Sequence, residues 1–217
     1  MKKENLKKLW FAVFLLIGFI LWTVLISFID VKTIGPNRSS VGLATINNFF
    51  HNLFGVHMTL YNITDWLGLV PVAVGFFFAV LGLIQWVKRK NILKVDFNIL
   101  ILGVFYIVTI AFYLLFESVV INYRPVLIYG FLEASYPSST TLLVLCVMPT
   151  AIMQIENRIR HDILRKLLIY LIKAFMVFMV IGRLISGVHW FSDIIGGLLL
   201  SAGLVVLYGF ICSFEKK

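Results

Sequence analysis

LWFAVFLLIGFILWTVLISFI, residues 9–29, is a run of 21 residues without a charged side chain. A helix rises about 1.5 Å per residue, so such a run covers the roughly 30 Å of hydrocarbon in a bilayer. Ahead of it stands Met1-Lys-Lys-Glu-Asn-Leu-Lys-Lys8. A signal peptide also starts basic, but its apolar core is shorter and ends in a small-residue cleavage site. No Ala-x-Ala pattern follows here, so the run reads as an uncleaved membrane anchor.

Five further stretches have the same character: 66–87, 97–116, 138–155, 167–185 and 191–214. The fourth is short and carries Pro149 and Gln154. Proline is tolerated in a membrane helix whose neighbours satisfy the freed backbone groups. Composition agrees, with 61% hydrophobic and 13% charged residues. A soluble domain has about 25% charged residues. This chain has too little polar surface for a soluble globule and too much apolar surface for disorder. The two cysteines, Cys146 and Cys212, lie in apolar runs and do not form the framework of a secreted disulfide scaffold.

The expected fold is therefore all-α, a six-transmembrane-helix bundle forming one domain over residues 1–217. Between spans one and two, Val41, Leu43, Ile46, Phe49, Phe50, Leu53, Phe54, Val56 and Met58 recur at near-helical spacing. This predicts an amphipathic external helix lying at the outer interface. His51 and His57, in or beside it, read as interfacial histidines.

The net charge of +9 would suggest nucleic acid in a soluble chain. Here the basic residues cluster between apolar runs, as membrane topology requires, and no nucleic-acid partner is expected. Lys2, Lys3, Lys7, Lys8, Lys88, Arg89, Lys90, Lys94, Arg158, Arg160, Arg165, Lys166, Lys216 and Lys217 fall on one face, 14 of the 19 basic residues. That face should be cytoplasmic and hold both termini. Lys32, Arg38, Arg124 and Arg183 fall on the other, and Lys173 lies within span five towards its cytoplasmic end.

On the outer face the polar residues gather at three helix ends. Span three ends at Glu117 and is followed by Asn122-Tyr-Arg124-Pro125. Span four opens with Glu133-Ala-Ser-Tyr-Pro137-Ser138-Ser139-Thr140-Thr141. Spans five and six meet at Gly182-Arg183-Leu-Ile-Ser-Gly187-Val-His189-Trp-Phe-Ser-Asp193. His189 and Asp193 are four apart and share a helical face, where a carboxylate would orient an imidazole. Two arginines offer forked donors that match phosphate oxygens. Ser138, Ser139 and Thr140 open a helix, where free N–H groups and the dipole favour an anion. Together they suggest a phosphate cradle beside a histidine nucleophile or base, facing the extracytoplasmic side.

Arg183, His189 and Asp193, at this order and spacing, resemble the third signature of the type 2 phosphatidic acid phosphatase superfamily. Arg124-Pro125 resembles the close of its first signature and Pro137-Ser138 the start of its second. The resemblance implies that His189 is the nucleophile that becomes a phosphohistidine and that Asp193 orients and activates it. It implies that Arg124, Arg183, Ser138, Ser139 and Thr140 bind the phosphoryl group, and that no cofactor and no metal are needed. The sequence departs from the family twice. Glu117 stands where the first signature starts with lysine, and Thr140 stands where the second has a histidine that protonates the leaving group. Threonine cannot act as a general acid near neutral pH. Glu117, Glu133, His51 and His57 are the candidate acids to replace it.

The expected function is an integral membrane phosphatase acting on a phosphorylated membrane lipid, either a lipid phosphate or a lipid or isoprenyl diphosphate such as undecaprenyl diphosphate. The missing acid favours a diphosphate, whose departing phosphate needs less protonation than an alkoxide. The alternatives are a degenerate member that binds or moves phosphorylated lipid without hydrolysis, and a phosphotransferase on the same scaffold.

Overall fold

The computed structural model describes residues 3–214. Lys2, Lys216 and Lys217, counted above towards the cytoplasmic face, lie outside the described residues. The chain runs through α1 (Lys3–Phe28), α2 (Ala44–Phe54), α3 (Met58–Leu67), α4 (Leu69–Arg89), α5 (Phe97–Ser118), α6 (Ser139–Arg158), α7 (Asp162–Ile185) and α8 (Phe191–Cys212). Among the described residues, six helical stretches are long and apolar enough to cross a membrane.

α6 and α8 form the middle of the bundle, each with 56% of its most apolar stretch buried, against 11–22% for the other spans. α1 packs on α8 where Gly203 leaves room for Leu16; a Cβ at Gly203 would lie 2.8 Å from the Leu16 side chain. The core between them joins Phe19, Leu102, Tyr136, Leu142, Cys146, Leu200 and Tyr208. Gln154, fully inside α6, donates to the Tyr208 hydroxyl at 2.8 Å and accepts from Arg158 at 3.0 Å, which satisfies its amide in an apolar setting. At the basic end of the bundle, Asp96 takes Arg158 and Arg89, each at 2.9 Å, and so ties α6 to the α4–α5 turn.

Three boundaries differ from the sequence reading. The second span begins at Met58, not Trp66, and runs to Arg89 through Gly68, which keeps helical dihedrals. The polar Thr64 and Asp65 mark an apparent end in the sequence, but both meet Arg183 and remain in the helix. The external helix is shorter than the apolar pattern. α2 covers Ala44–Phe54, because Leu43 ahead of it takes φ 50° and Gly55 behind it φ 70°. α7 starts at Asp162, so Lys173 is exposed at mid-helix and not near the end.

Candidate active site

The turn between α7 and α8 is built on glycine. Gly187 has φ +69°, and a Cβ there would lie 1.9 Å from the Gly55 carbonyl oxygen. The close approach lets the His57 N–H donate to the Ser186 carbonyl at 2.9 Å, docking the α2–α3 turn on the signature loop. At the start of α8, Asp193 Oδ2 accepts the Trp190 N–H at 2.9 Å, as an N-terminal carboxylate should. Gly196 and Gly197 admit the 135–141 segment: a Cβ at Gly196 would lie 2.4 Å from the Tyr136 ring. The Ser138 N–H then reaches the Asp193 carbonyl at 3.1 Å. The second and third signatures are therefore in direct contact.

His189 is 3% exposed. Its Nδ1 is 3.9 Å from Asp193 Oδ2, too far for a hydrogen bond. Ser135 fills the gap. Its hydroxyl donates to Asp193 Oδ2 at 2.5 Å and lies 3.1 Å from His189 Nδ1, with the Ser135 carbonyl 3.2 Å from the same nitrogen. A hydroxyl that donates to the carboxylate can accept from Nδ1–H. That tautomer leaves Nε2 as the unprotonated nitrogen, and Nε2 is buried without a hydrogen-bond partner. Burial, reinforced by the positive charges of Arg124 and Arg183, pushes the His189 pKa well below its ordinary value, so the ring is neutral. Asp193 is further held by Asn122 and Ser192 at 3.4 Å, and Asn122 in turn takes the Gly42 N–H at 3.1 Å.

Both arginines sit over one ring. The Arg183 and Arg124 guanidinium carbons are 4.9 and 5.8 Å from the Tyr61 centroid. Arg183, 1% exposed, donates through Nη2 to Thr140 Oγ1 at 2.5 Å and to Asp65 Oδ1 at 3.0 Å, and through Nη1 to Thr64 at 3.4 Å. Arg124 is positioned by the short pairing of residues 122–124 with 133–135 and meets Glu133 at 3.2 Å. Arg124 Nη1 and Arg183 Nε are buried and unpartnered. Ser138 is buried and accepts from Thr141 at 3.0 Å. The first bond of α6 runs from the Leu142 N–H to the Ser138 carbonyl, so the N–H groups of Ser139, Thr140 and Thr141 have no acceptor within the helix.

The structure thus gathers His189, Asp193, Arg124, Arg183, Ser138, Ser139 and Thr140 at one end of the bundle. Glu117 is exposed and lines a cleft of about 10 Å³ with Ser135 and Ser139. Glu133 sits on Arg124, His57 is turned to the Phe54 carbonyl at 2.8 Å, and the His51 ring packs on Trp190. Sequence reasoning missed Ser135 and Asn122 as carboxylate partners, and the whole face of α3. Tyr61, Thr64 and Asp65 are spaced as one helical face, and an acid at the edge of an apolar run was the available signal.

A groove of about 1100 Å³ lies between α4 and α5 against α6. Gly75, Ala79, Gly82 and Gly103 keep it open, and Asp65, Ser139 and Thr140 stand at its mouth. From Leu69 to Trp86 it follows α4 for about 26 Å, at 1.5 Å per residue.

Six spans around this polar end define a polytopic membrane protein with the fold of the transmembrane PAP2 phosphatases. Residues 115–216, a stretch that contains all three signature regions, match the PAP2 superfamily. In fold it is similar to the crystal structure of a transmembrane PAP2-type phosphatidylglycerolphosphate phosphatase from Bacillus subtilis. The TM-score is 0.54 at 16% identity, over 94% of this chain and 96% of that one. No curated protein matches the sequence.

Proposed function

We propose that this protein is an integral membrane phosphatase that hydrolyses a phosphorylated lipid at the extracytoplasmic face through a phosphohistidine on His189. The observation that carries the reading is the set of buried, unpartnered atoms: His189 Nε2, Arg124 Nη1 and Arg183 Nε. Burying a donor or acceptor without a partner costs about 1–3 kcal/mol. Both arginines lie over the Tyr61 ring and close enough for their charges to act on His189, so their free donors suit the anionic oxygens of a ligand whose phosphorus faces Nε2. The neutral imidazole attacks phosphorus through Nε2, Asp193 and Ser135 stabilise the cation that forms, and the arginines with the α6 N-terminus take the equatorial oxygens.

The groove supports a lipid substrate. Its depth of about 26 Å exceeds one leaflet, which is half of a roughly 30 Å hydrocarbon core. An acyl chain from the outer leaflet ends near the midplane, whereas a long isoprenyl chain would fill the groove. This favours an isoprenyl diphosphate over a diacyl phosphate. The basic clusters at the opposite end support the extracytoplasmic placement.

The test is phosphate release by detergent-purified protein from phosphatidic acid, phosphatidylglycerol phosphate and undecaprenyl diphosphate side by side. Undecaprenyl diphosphate should be turned over fastest, and His189→Ala should abolish turnover together with any acid-labile phosphoenzyme. Glu117 and Thr140 favour a second reading, binding or movement of phosphorylated lipid without hydrolysis. A parent protein that binds these lipids and releases no phosphate would establish that reading instead.

A further inference from the structure

Thr140 stands where the leaving group should meet an acid, and threonine has no proton to give near neutral pH. Asp65 is the carboxyl that meets the same donor. Arg183 Nη2 holds Thr140 Oγ1 at 2.5 Å and Asp65 Oδ1 at 3.0 Å, which caps the separation of those two oxygens at about 5.5 Å. The Asp65 side chain is 55% exposed, whereas Arg183 beside it is buried. With Ser139 and Thr140 it frames the mouth of the apolar groove. It stands on α3, outside every signature region, and is held there by the packing of Gly182 on Thr64, where a Cβ would lie 2.8 Å from the threonine methyl.

We propose that Asp65 is the general acid and base of this enzyme, supplying from α3 the proton transfer that Thr140 cannot. The assignment rests on the phosphatase reading above. At rest the carboxylate is paired with Arg183. Its exposed face is open to water, the source of the proton it delivers. His189 Nε2 then attacks phosphorus. The P–O bond to the departing group breaks with its electron pair on oxygen, and the Asp65 proton moves to that oxygen. In the second half, water attacks the phosphohistidine, the Asp65 carboxylate takes its proton, and the P–N bond breaks with its electron pair returned to Nε2.

Leaving-group dependence separates this role from a structural one. Steady-state turnover of full-length protein in detergent should be measured on dioctanoyl phosphatidic acid, an alkyl monoester, and on p-nitrophenyl phosphate, whose leaving group needs little protonation. Asp65→Asn should lower alkyl monoester turnover about 10²–10⁴-fold, the usual range for acid–base assistance. Turnover of the aryl ester should fall far less. Thr140→His placed in the Asp65→Asn protein should restore at least tenfold of the lost alkyl activity. The substrate ratio is its own folding control, because a misfolded protein loses both activities together. The assignment is overturned if Asp65→Asn matches the parent, if it slows both substrates equally without rescue, or if it raises turnover, which would make Asp65 a lock on Arg183. A parent inactive on every phosphate ester overturns the phosphatase reading and this assignment with it.

Discussion

Ser135→Ala isolates the bridge between His189 and Asp193. The hydroxyl donates to Asp193 Oδ2 at 2.5 Å and lies 3.1 Å from His189 Nδ1. Truncation removes both contacts and nothing else that is polar, because the Ser135 carbonyl stays 3.2 Å from Nδ1 and continues to fix the tautomer. Asp193 also keeps the Trp190 N–H at 2.9 Å. A hydrogen bond to a charged group contributes about 1.5–3 kcal/mol. The bridge matters most when the imidazole becomes cationic, so that energy comes off the transition state and the phosphohistidine. At about 1.36 kcal/mol per tenfold, kcat should fall about 10- to 150-fold. KM should hardly move, because Ser135 does not reach the phosphate-binding atoms of either arginine. Asp193→Asn should cost more, since it removes the charge as well as the bridge. The assay is steady-state phosphate release in detergent across substrate concentration, with the thermal midpoint as folding control. An unchanged kcat would refute the bridged arrangement. A loss as complete as that of His189→Ala would refute the retained role of the Ser135 carbonyl.

The buried, neutral His189 should also shape stability against pH. Its pKa is depressed in the folded protein, so below the ordinary value of about 6.5 the unfolded chain takes up a proton that the folded chain refuses. Stability from this group is complete above about pH 6.5 and declines as pH falls towards the folded value, by at most about 1.4 kcal/mol per pH unit. Thermal midpoints at pH 7.5 and 5.5 should therefore drop more for the parent than for His189→Gln, and equal drops would contradict a neutral imidazole among Arg124, Arg183 and Asp193. Topology is tested by cysteine labelling. Tyr129 and Leu93, both 83% exposed, are suitable sites, whereas Asn122 is buried on Asp193. In intact cells an impermeant thiol reagent should label Tyr129→Cys and spare Leu93→Cys, and the reverse pattern would put the site on the cytoplasmic side.

The six spans were legible because a bilayer imposes one demand on every helix, and hydropathy measures it. The convergence of three polar clusters was legible for a related reason, since charged residues at apolar run ends need a common use. What escaped was anything set by tertiary contact. Asp65 looked like the end of a loop because its cost in an apolar helix is visible in sequence and its compensation by Arg183 is not. The direct His189–Asp193 pair suggested by the four-residue spacing opens to 3.9 Å because Asp193 is already turned back to cap Trp190. Ser135, six residues beyond Tyr129 in an irregular segment, has no periodicity that would place it between them.

The charges of the pocket follow a pattern that bears on how it receives an anion. Each arginine is paired on its outer side, Arg183 with Asp65 and Arg124 with Glu133, and those carboxylate side chains are 55% and 39% exposed. The nitrogens left without partners, Arg183 Nε, Arg124 Nη1 and His189 Nε2, are all buried. The rim carboxylates therefore offset the cost of holding two guanidinium charges near the membrane without using the donors that face inward. A phosphoryl group can take the Arg183 Nε and Arg124 Nη1 donors without displacing either carboxylate. The two rim carboxylates hold the pocket close to neutral at rest, so it is the two inward guanidinium donors, and not net charge, that select a ligand with more than one anionic oxygen. Neutralising Glu133 therefore makes the pocket more positive and sharpens its preference for dianionic over monoanionic ligands, without touching the proton transfer assigned to Asp65.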